Sequence, residues 1–441
     1  MPRSFDMILK GGTVADHTGE SARDVAITGG KIARIGDLSR ACAGETIDAT
    51  GLHILPGVID TQVHFREPGL THKEDLETGS HAAVLGGVTA VFEMPNTDPS
   101  TSSAASLADK MARAKDRMHC DFAFWVGGTH ENWRDIPELE RLPGAAGIKV
   151  FMGSSTGSLL VADDAGIAAI LSQTRRRAAF HSEDEFRLDE RKDLRVPNDP
   201  SSHPVWRDET VALRSTERLL RIAREKRALI HVLHVSCGEE VDLLAAHKDI
   251  ASVEVTPHHL TLSAADYTRL GTKLQMNPPV RDASHRERLW FGVAQGIADI
   301  LGSDHAPHTR EEKAKPYPQS PSGMTGVQTL VPVMLDHVNK GCLSLMRFVD
   351  MTSAGPARLF GIAGKGRIAA GYDADFTIVD MKRHAVIENR WIASRCGWTP
   401  YDGKKVLGWP AGTIVRGQRV MWEGELTMPG QGQPVRFGQV L

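Results

Sequence analysis

Cysteine is scarce and badly placed for crosslinking: the five present, Cys42, Cys120, Cys237, Cys342 and Cys396, are odd in number, far apart and free of any CxxC pair. That excludes a disulfide framework and a zinc knuckle, and fits a reducing cytoplasm. Long apolar runs are missing too. No basic segment followed by an apolar core stands behind Met1, so neither a membrane span nor secretion is expected. Neither sign of charge is in marked surplus: the formal net charge is -3, which offers nucleic acid or an anionic membrane no general attraction. Internal repeats are absent. So is a glycine-rich phosphate loop between a strand and a helix, which argues against a doubly wound open sheet. The expected partner is a small molecule.

What is present is an ordinary globular composition over 441 residues, 41% hydrophobic and 24% charged, enough for one large domain and an accessory one. Short strands with glycine turns fill Met7 to Val14, Asp24 to Ile35 and Glu45 to Ala49, and the same texture returns in Lys365 to Asp380 and Gly412 to Trp422. Between them, eight apolar strand-like runs begin near Val58, Thr89, Phe122, Gly147, Ala178, Leu229, Ser252 and Asp299, separated by helical stretches such as Ala104 to Arg117 and Val211 to Glu225. This pattern predicts an α/β fold: a TIM-type (β/α)8 barrel over residues 57–363, and a small discontinuous β-sandwich made of residues 1–56 and 364–441. The charged, proline-containing stretch from His308 to Gly323 is expected to be a loop able to cover a site.

The polar residues fall where such a barrel does its chemistry. His64, Asn96, Lys149, His181, His234 and Asp304 stand at or just beyond the C-terminal ends of the expected strands. One such histidine is ordinarily a hydrogen-bonded structural residue. Several imidazoles and a carboxylate arriving from different strands have instead the donor chemistry of a zinc-like divalent site. Lys149 is unusual within the run Gly147 to Met152, because an ammonium would be repelled by nearby cations. Burial lowers a lysine pKa, and the neutral amine can take up carbon dioxide to become an anionic carbamate able to bridge metals.

Four motifs carry a resemblance. Pro56-Gly57-Val58-Ile59-Asp60-Thr61-Gln62-Val63-His64-Phe65-Arg66-Glu67-Pro68-Gly69, Met94-Pro95-Asn96-Thr97, Met276-Asn277-Pro278-Pro279-Val280-Arg281 and Ser303-Asp304-His305-Ala306-Pro307-His308 together resemble the signatures of the dihydroorotase family of cyclic amidohydrolases. The likeness extends to Ser353-Ala354-Gly355-Pro356-Ala357-Arg358-Leu359-Phe360 near the other end.

The resemblance implies one or two zinc ions. His64 would ligate the first, N6-carboxylated Lys149 would bridge, and His181 and His234 would hold the second. Asp304 would be ligand and general base, with Asp163 or Asp164 the substitute bridging carboxylates. Arg66 would grip a substrate carboxylate, assisted by Asn96, Asn277, His308, Ser322 and Gly323. A surface ion pair with Glu67 or Glu74 is the plain alternative for Arg66.

The implied activity is reversible cyclisation of N-carbamoyl-L-aspartate to L-dihydroorotate in pyrimidine biosynthesis, in a cytoplasmic homodimer or homotetramer. An allantoinase or dihydropyrimidinase type is the alternative. One position departs from the family pattern: Gln62 stands where the first of two strand histidines belongs, and an amide oxygen is a weaker donor for zinc than imidazole. That departure leaves open a weakly active or inactive partner of aspartate transcarbamoylase.

Overall fold

The computed structural model describes residues 5–153 and 159–438. Residues 1–4 and 439–441, the outer ends of the two expected terminal pieces, lie outside the described residues, as do 154–158. The chain opens with seven strands: β1 (Phe5–Lys10), β2 (Thr13–Asp16), β3 (Gly19–Ala22), β4 (Asp24–Thr28), β5 (Lys31–Gly36), β6 (Ala43–Asp48) and β7 (His53–Pro56). The run Met7 to Val14 is divided between β1 and β2, where Gly11 takes a φ of 76° and turns the chain. Gly29 and Gly30, at φ 59° and 73°, make the tight turn that folds β4 back on β5.

Eight further strands follow: β8 (Val58–Val63), β9 (Val88–Glu93), β10 (Asp121–Gly127), β11 (Ala145–Phe151), β12 (Ala178–His181), β13 (Ile230–Val232), β14 (Ala251–Val255) and β15 (Ile300–Leu301). They form one sheet in chain order. Every neighbouring pair is parallel. The two edges meet where Val63 bridges His305 and the His64 N–H donates to the His305 carbonyl at 2.7 Å, closing a barrel. All eight strands lie within a few residues of the expected runs, and each is buried along its length, as a parallel sheet covered on both faces must be.

The intervening helices start on local signals. Asp75 and Thr78 form a reciprocal cap on Leu76–Leu85. Asp208 accepts from the Val211 N–H to start Glu209–Lys226, which buries Val211, Ala212, Ser215, Thr216, Leu219, Leu220, Ile222 and Ala223 on one face and ends at left-handed Arg227.

The last strands are β16 (Phe376–Val386), β17 (Lys405–Val415), β18 (Gln418–Trp422) and β19 (Glu425–Leu426). They join β7, β2 and β3 in a seven-stranded sheet of order β19-β18-β17-β16-β7-β2-β3, beside a four-stranded sheet of order β5-β4-β1-β6. Met7, Leu9, Val25, Ile27 and Ile47 of the smaller sheet meet Val14, Ile54, Phe376, Ile378 and Ile414 of the larger in a common core. Both chain ends thus build the sandwich. A buried charge cluster ties it to the barrel: Lys365 Nζ lies 2.5 Å from Asp121 at the start of β10 and 2.5 Å from Asp375 just before β16. Arg416 also reaches Asp121, at 3.0 Å.

Candidate active site

A cavity of about 310 Å³ opens at the C-terminal mouth of the barrel. It is lined by Gln62 and His64 at the end of β8, Lys149 on β11, His181 on β12, and Asp304 beyond β15. His234 and Asn96 join them, as do Arg66, Asn277, His308, Ser322 and Gly323, so the structure brings every residue singled out above to one place except the two substitute carboxylates. Asp163 and Asp164 are elsewhere. Asp163 caps the helix Asp164–Gln173 by accepting from the Gly166 N–H, while Asp164 pairs with Arg218 and Arg221. The cap explains their position without a metal. Within the expected covering loop, Thr309 nucleates a short helix, Arg310–Lys313. Bonds from Trp398 Nε1 to the His308 carbonyl and from Lys313 Nζ to the Pro321 carbonyl bind this stretch down as a cavity wall.

The donors come in two pairs. On one side, the His64 Nδ1–H donates to Asn96 Oδ1 at 2.7 Å. This leaves the Nε2 lone pair facing Asp304 Oδ1 at 3.2 Å. On the other, the His181 Nε2–H donates to Glu183 Oε2 at 2.7 Å, and its Nδ1 faces His234 Nε2 at 3.0 Å. Two nitrogens on one tetrahedral zinc stand about 3.3 Å apart, so the second spacing is nearly that of a shared ion. Glu183 is held in turn by Arg207. Burial works against ionising Glu183, but the Arg207 guanidinium and His181 overcome it and keep the carboxyl well below the usual range. A histidine fixed by a carboxylate on its outer nitrogen is the arrangement metal-ligating imidazoles adopt.

Lys149 is 1% exposed and its Nζ has no hydrogen-bond partner among the described residues. Burial drives its pKa far below the ordinary lysine value. Burial also pushes the Asp304 carboxyl up to about 7. No three His, Cys, Asp or Glu side chains among the described residues close on one point as they stand. The orphaned amine fits a group that gains an anionic oxygen pair on carboxylation, which would complete the donor set. Backbone geometry singles out the same residues: Arg66, His234 and Asp304 have φ of 66°, 39° and 46°. Such left-handed conformations cost a non-glycine residue about 1–2 kcal/mol and tend to collect at functional sites.

Arg66 makes no ion pair among the described residues. Its Nε donates to the Pro307 carbonyl at 3.2 Å, leaving the rest of a buried guanidinium turned to the cavity beside His308. Glu67 pairs instead with Arg117, and Glu74 bonds Ser394 and the Arg395 N–H. His308 donates through Nε2 to the Ser322 carbonyl at 3.0 Å and meets Lys73 Nζ at Nδ1, 3.2 Å away. The Asn277 carbonyl oxygen faces His203 Nε2 at 3.0 Å.

Sequence reasoning missed Glu183, Arg207, His203, Lys73 and Glu254. Glu183 stands two residues after His181, a strand spacing that puts both on one face, so its signal was available. Glu254, inside the barrel below the cavity, accepts from Thr61 at 3.0 Å and is pushed by burial up to about 8. Gly302 leaves it room, since a Cβ there would stand 2.5 Å from the Glu254 carboxyl.

A closed barrel whose mouth gathers imidazoles, a buried lysine and a carboxylate defines a hydrolase class. Residues 53–420 match the amidohydrolase family, and the chain belongs to it. It is an enzyme of the cyclic amidohydrolase kind. Among its relatives, a dihydroorotase of Halobacterium salinarum is 39% identical, with 94% of this chain and 96% of that protein covered. An allantoinase of Deinococcus radiodurans is 32% identical over 98% of this chain and 99% of that protein. The solved structure of an L-hydantoinase (dihydropyrimidinase) from Arthrobacter aurescens superposes with a TM-score of 0.94 at 31% identity, covering 98% of this chain and 99% of that one.

Proposed function

We propose that the protein is a dihydroorotase, interconverting N-carbamoyl-L-aspartate and L-dihydroorotate in pyrimidine biosynthesis, with one water released for each ring closed. The observation that carries this reading is Arg66, a buried guanidinium in the cavity that no carboxylate among the described residues satisfies. Buried arginine is stable when paired, and a planar fork of donors matches a carboxylate. Dihydroorotate bears that carboxylate; allantoin, hydantoin and dihydrouracil do not. The dihydroorotases among the relatives support the same choice.

The donor set suits zinc: His181, His234 and carboxylated Lys149 would hold it, with His64 and Asp304 opposite. When bound, the ion supplies Lewis-acid polarisation of the ring amide and water of lowered pKa. The chain does the rest. Arg66 grips the carboxylate. Asn96 and Asn277, whose carbonyl oxygens face His64 and His203, turn their NH2 groups to the ring's oxygens. Asp304 takes a proton from the attacking water on Oδ1 and delivers it to the departing ring nitrogen, and reverses the transfer on closure.

Purified protein supplied with zinc and bicarbonate is expected to form dihydroorotate from carbamoyl aspartate at mildly acidic pH, and no turnover would sink the proposal. The second reading, a hydrolase of uncharged rings, draws on the L-hydantoinase likeness. Faster hydrolysis of allantoin or dihydrouracil than of dihydroorotate would favour it.

A further inference from the structure

The two sides of the cavity are unequal, and the inequality centres on Gln62. Its Nε2 donates to Asp304 Oδ1 at 3.0 Å, the same oxygen that the His64 Nε2 lone pair faces at 3.2 Å. An amide nitrogen has no lone pair to offer a cation, and its hydrogens are electropositive. An ion placed between His64 and Asp304 would therefore meet a donor where it needs a ligand. Among the described residues Gln62 Oε1 is buried with no hydrogen-bond partner, and amide geometry turns it away from the oxygen that Nε2 bonds. Gln62 is 1% exposed and lines the cavity; a flipped amide would set Oε1 against the Asp304 carboxylate oxygen, so the bond to Asp304 holds this orientation.

The other side lacks such a competitor. His181 Nδ1 and His234 Nε2 converge at 3.0 Å, the Glu183–Arg207 pair fixes the His181 ring from behind, and the unpartnered Lys149 Nζ lines the same cavity.

We infer that this chain holds one divalent cation rather than two, at His181, His234 and Lys149, and that the Gln62–Asp304 hydrogen bond beside His64 stands in place of a second metal site. This deepens the metallohydrolase reading and rests on it. Lys149, whose Nζ lines the cavity without a hydrogen-bond partner among the described residues, supplies the remaining donor when its free-base amine adds to carbon dioxide, forming an N–C bond and releasing one proton.

The test is metal content of the full chain after loading with excess zinc and bicarbonate and exhaustive dialysis, read by elemental mass spectrometry. One zinc per chain is expected. Gln62→His should raise this to two, His64→Asn should keep one, and His181→Asn should drop it to near zero. Thermal melts show that each variant is folded. Two zincs in the unaltered chain, or one in Gln62→His, would overturn the inference while leaving the metallohydrolase reading intact. Loss of the ion in His64→Asn would overturn its placement. No retained zinc at all would overturn both readings.

Discussion

Lys149 and Lys365 are two buried lysines that meet opposite fates, at the mouth of the barrel and at its base. Lys365, 4% exposed, lies between Asp121 and Asp375 with Asp373 at 3.4 Å, where the sandwich joins the barrel. Burial alone would pull its pKa down; Asp375 and Asp121 overturn that and hold the ammonium above its ordinary range. Lys149, buried likewise, has no hydrogen-bond partner among the described residues, and burial prevails. Burial is the same in both places and only the neighbours differ. A paired lysine is a fixed charge that joins two layers, whereas burial without a paired anion shifts a lysine toward its nucleophilic free base.

The strongest way to break this contrast is to replace each lysine with an apolar side chain of similar length. Lys149→Met should lower turnover of carbamoyl aspartate by about a thousandfold or more, a loss of about 4 kcal/mol in transition-state stabilisation. Its melting temperature should hold or rise, because the substitution removes an unsatisfied buried amine. Lys365→Met should do the reverse. It removes the cation from Asp375 and leaves Asp121 with Arg416 alone, so stability should fall by about 3–5 kcal/mol while the activity of the folded fraction persists. Matching urea-unfolding curves for the two variants would erase the distinction.

The same contrast separates what the sequence revealed from what it hid. The eight barrel strands were legible because each is a short apolar run set between helical stretches, and Asp60, Gln62 and His64 show the alternation of a strand that faces a site. His181 and His234 could be paired only through the family likeness, since 53 residues separate them. Arg207, which fixes Glu183, and His203, which meets Asn277, reach the site from an irregular stretch whose sequence carries no period. The tethered wall around Arg310–Lys313 read as a loop because its order comes from contacts with Trp398 and Pro321 rather than from local pattern. Lys365 could not be told from a surface lysine: its partners Asp121 and Asp375 come from different layers.

Arg66 sharpens the comparison from the substrate side, as a second buried basic group at the mouth with no ion pair among the described residues. Arg66→Lys keeps the charge and loses the planar fork. KM for carbamoyl aspartate should rise about 10–100-fold, in line with roughly 1.5–3 kcal/mol for hydrogen bonds to a charged group, with a smaller change in kcat. Hydrolysis of dihydrouracil, if measurable, should be unaffected. An equal loss on both substrates would mean that Arg66 supports the fold of the mouth and not the recognition of a carboxylate.

Imidazoles offer the mildest version of the test. His337, on the helix Leu330–Asn339, lies outside the cavity, with Nε2 2.9 Å from Thr261 Oγ1 and its ring 4.9 Å from that of Trp290. Burial, reinforced by Lys404, lowers its pKa to about 4, against 6.5 for an unperturbed histidine. The folded pKa is depressed, so the stability this group contributes is intact above pH 6.5 and is lost as pH falls toward 4, where the unfolded chain takes up the proton first. His337→Gln should flatten the decline in unfolding free energy across that interval by on the order of 1.4 kcal/mol per pH unit. It should leave turnover at pH 7 unchanged. A structural imidazole then registers in the pH dependence of unfolding, whereas His181 registers in metal content. An unaltered slope in His337→Gln would place the acid sensitivity in the other buried histidines, among them His203 and His259, whose pKa values burial lowers to about 3 and about 4.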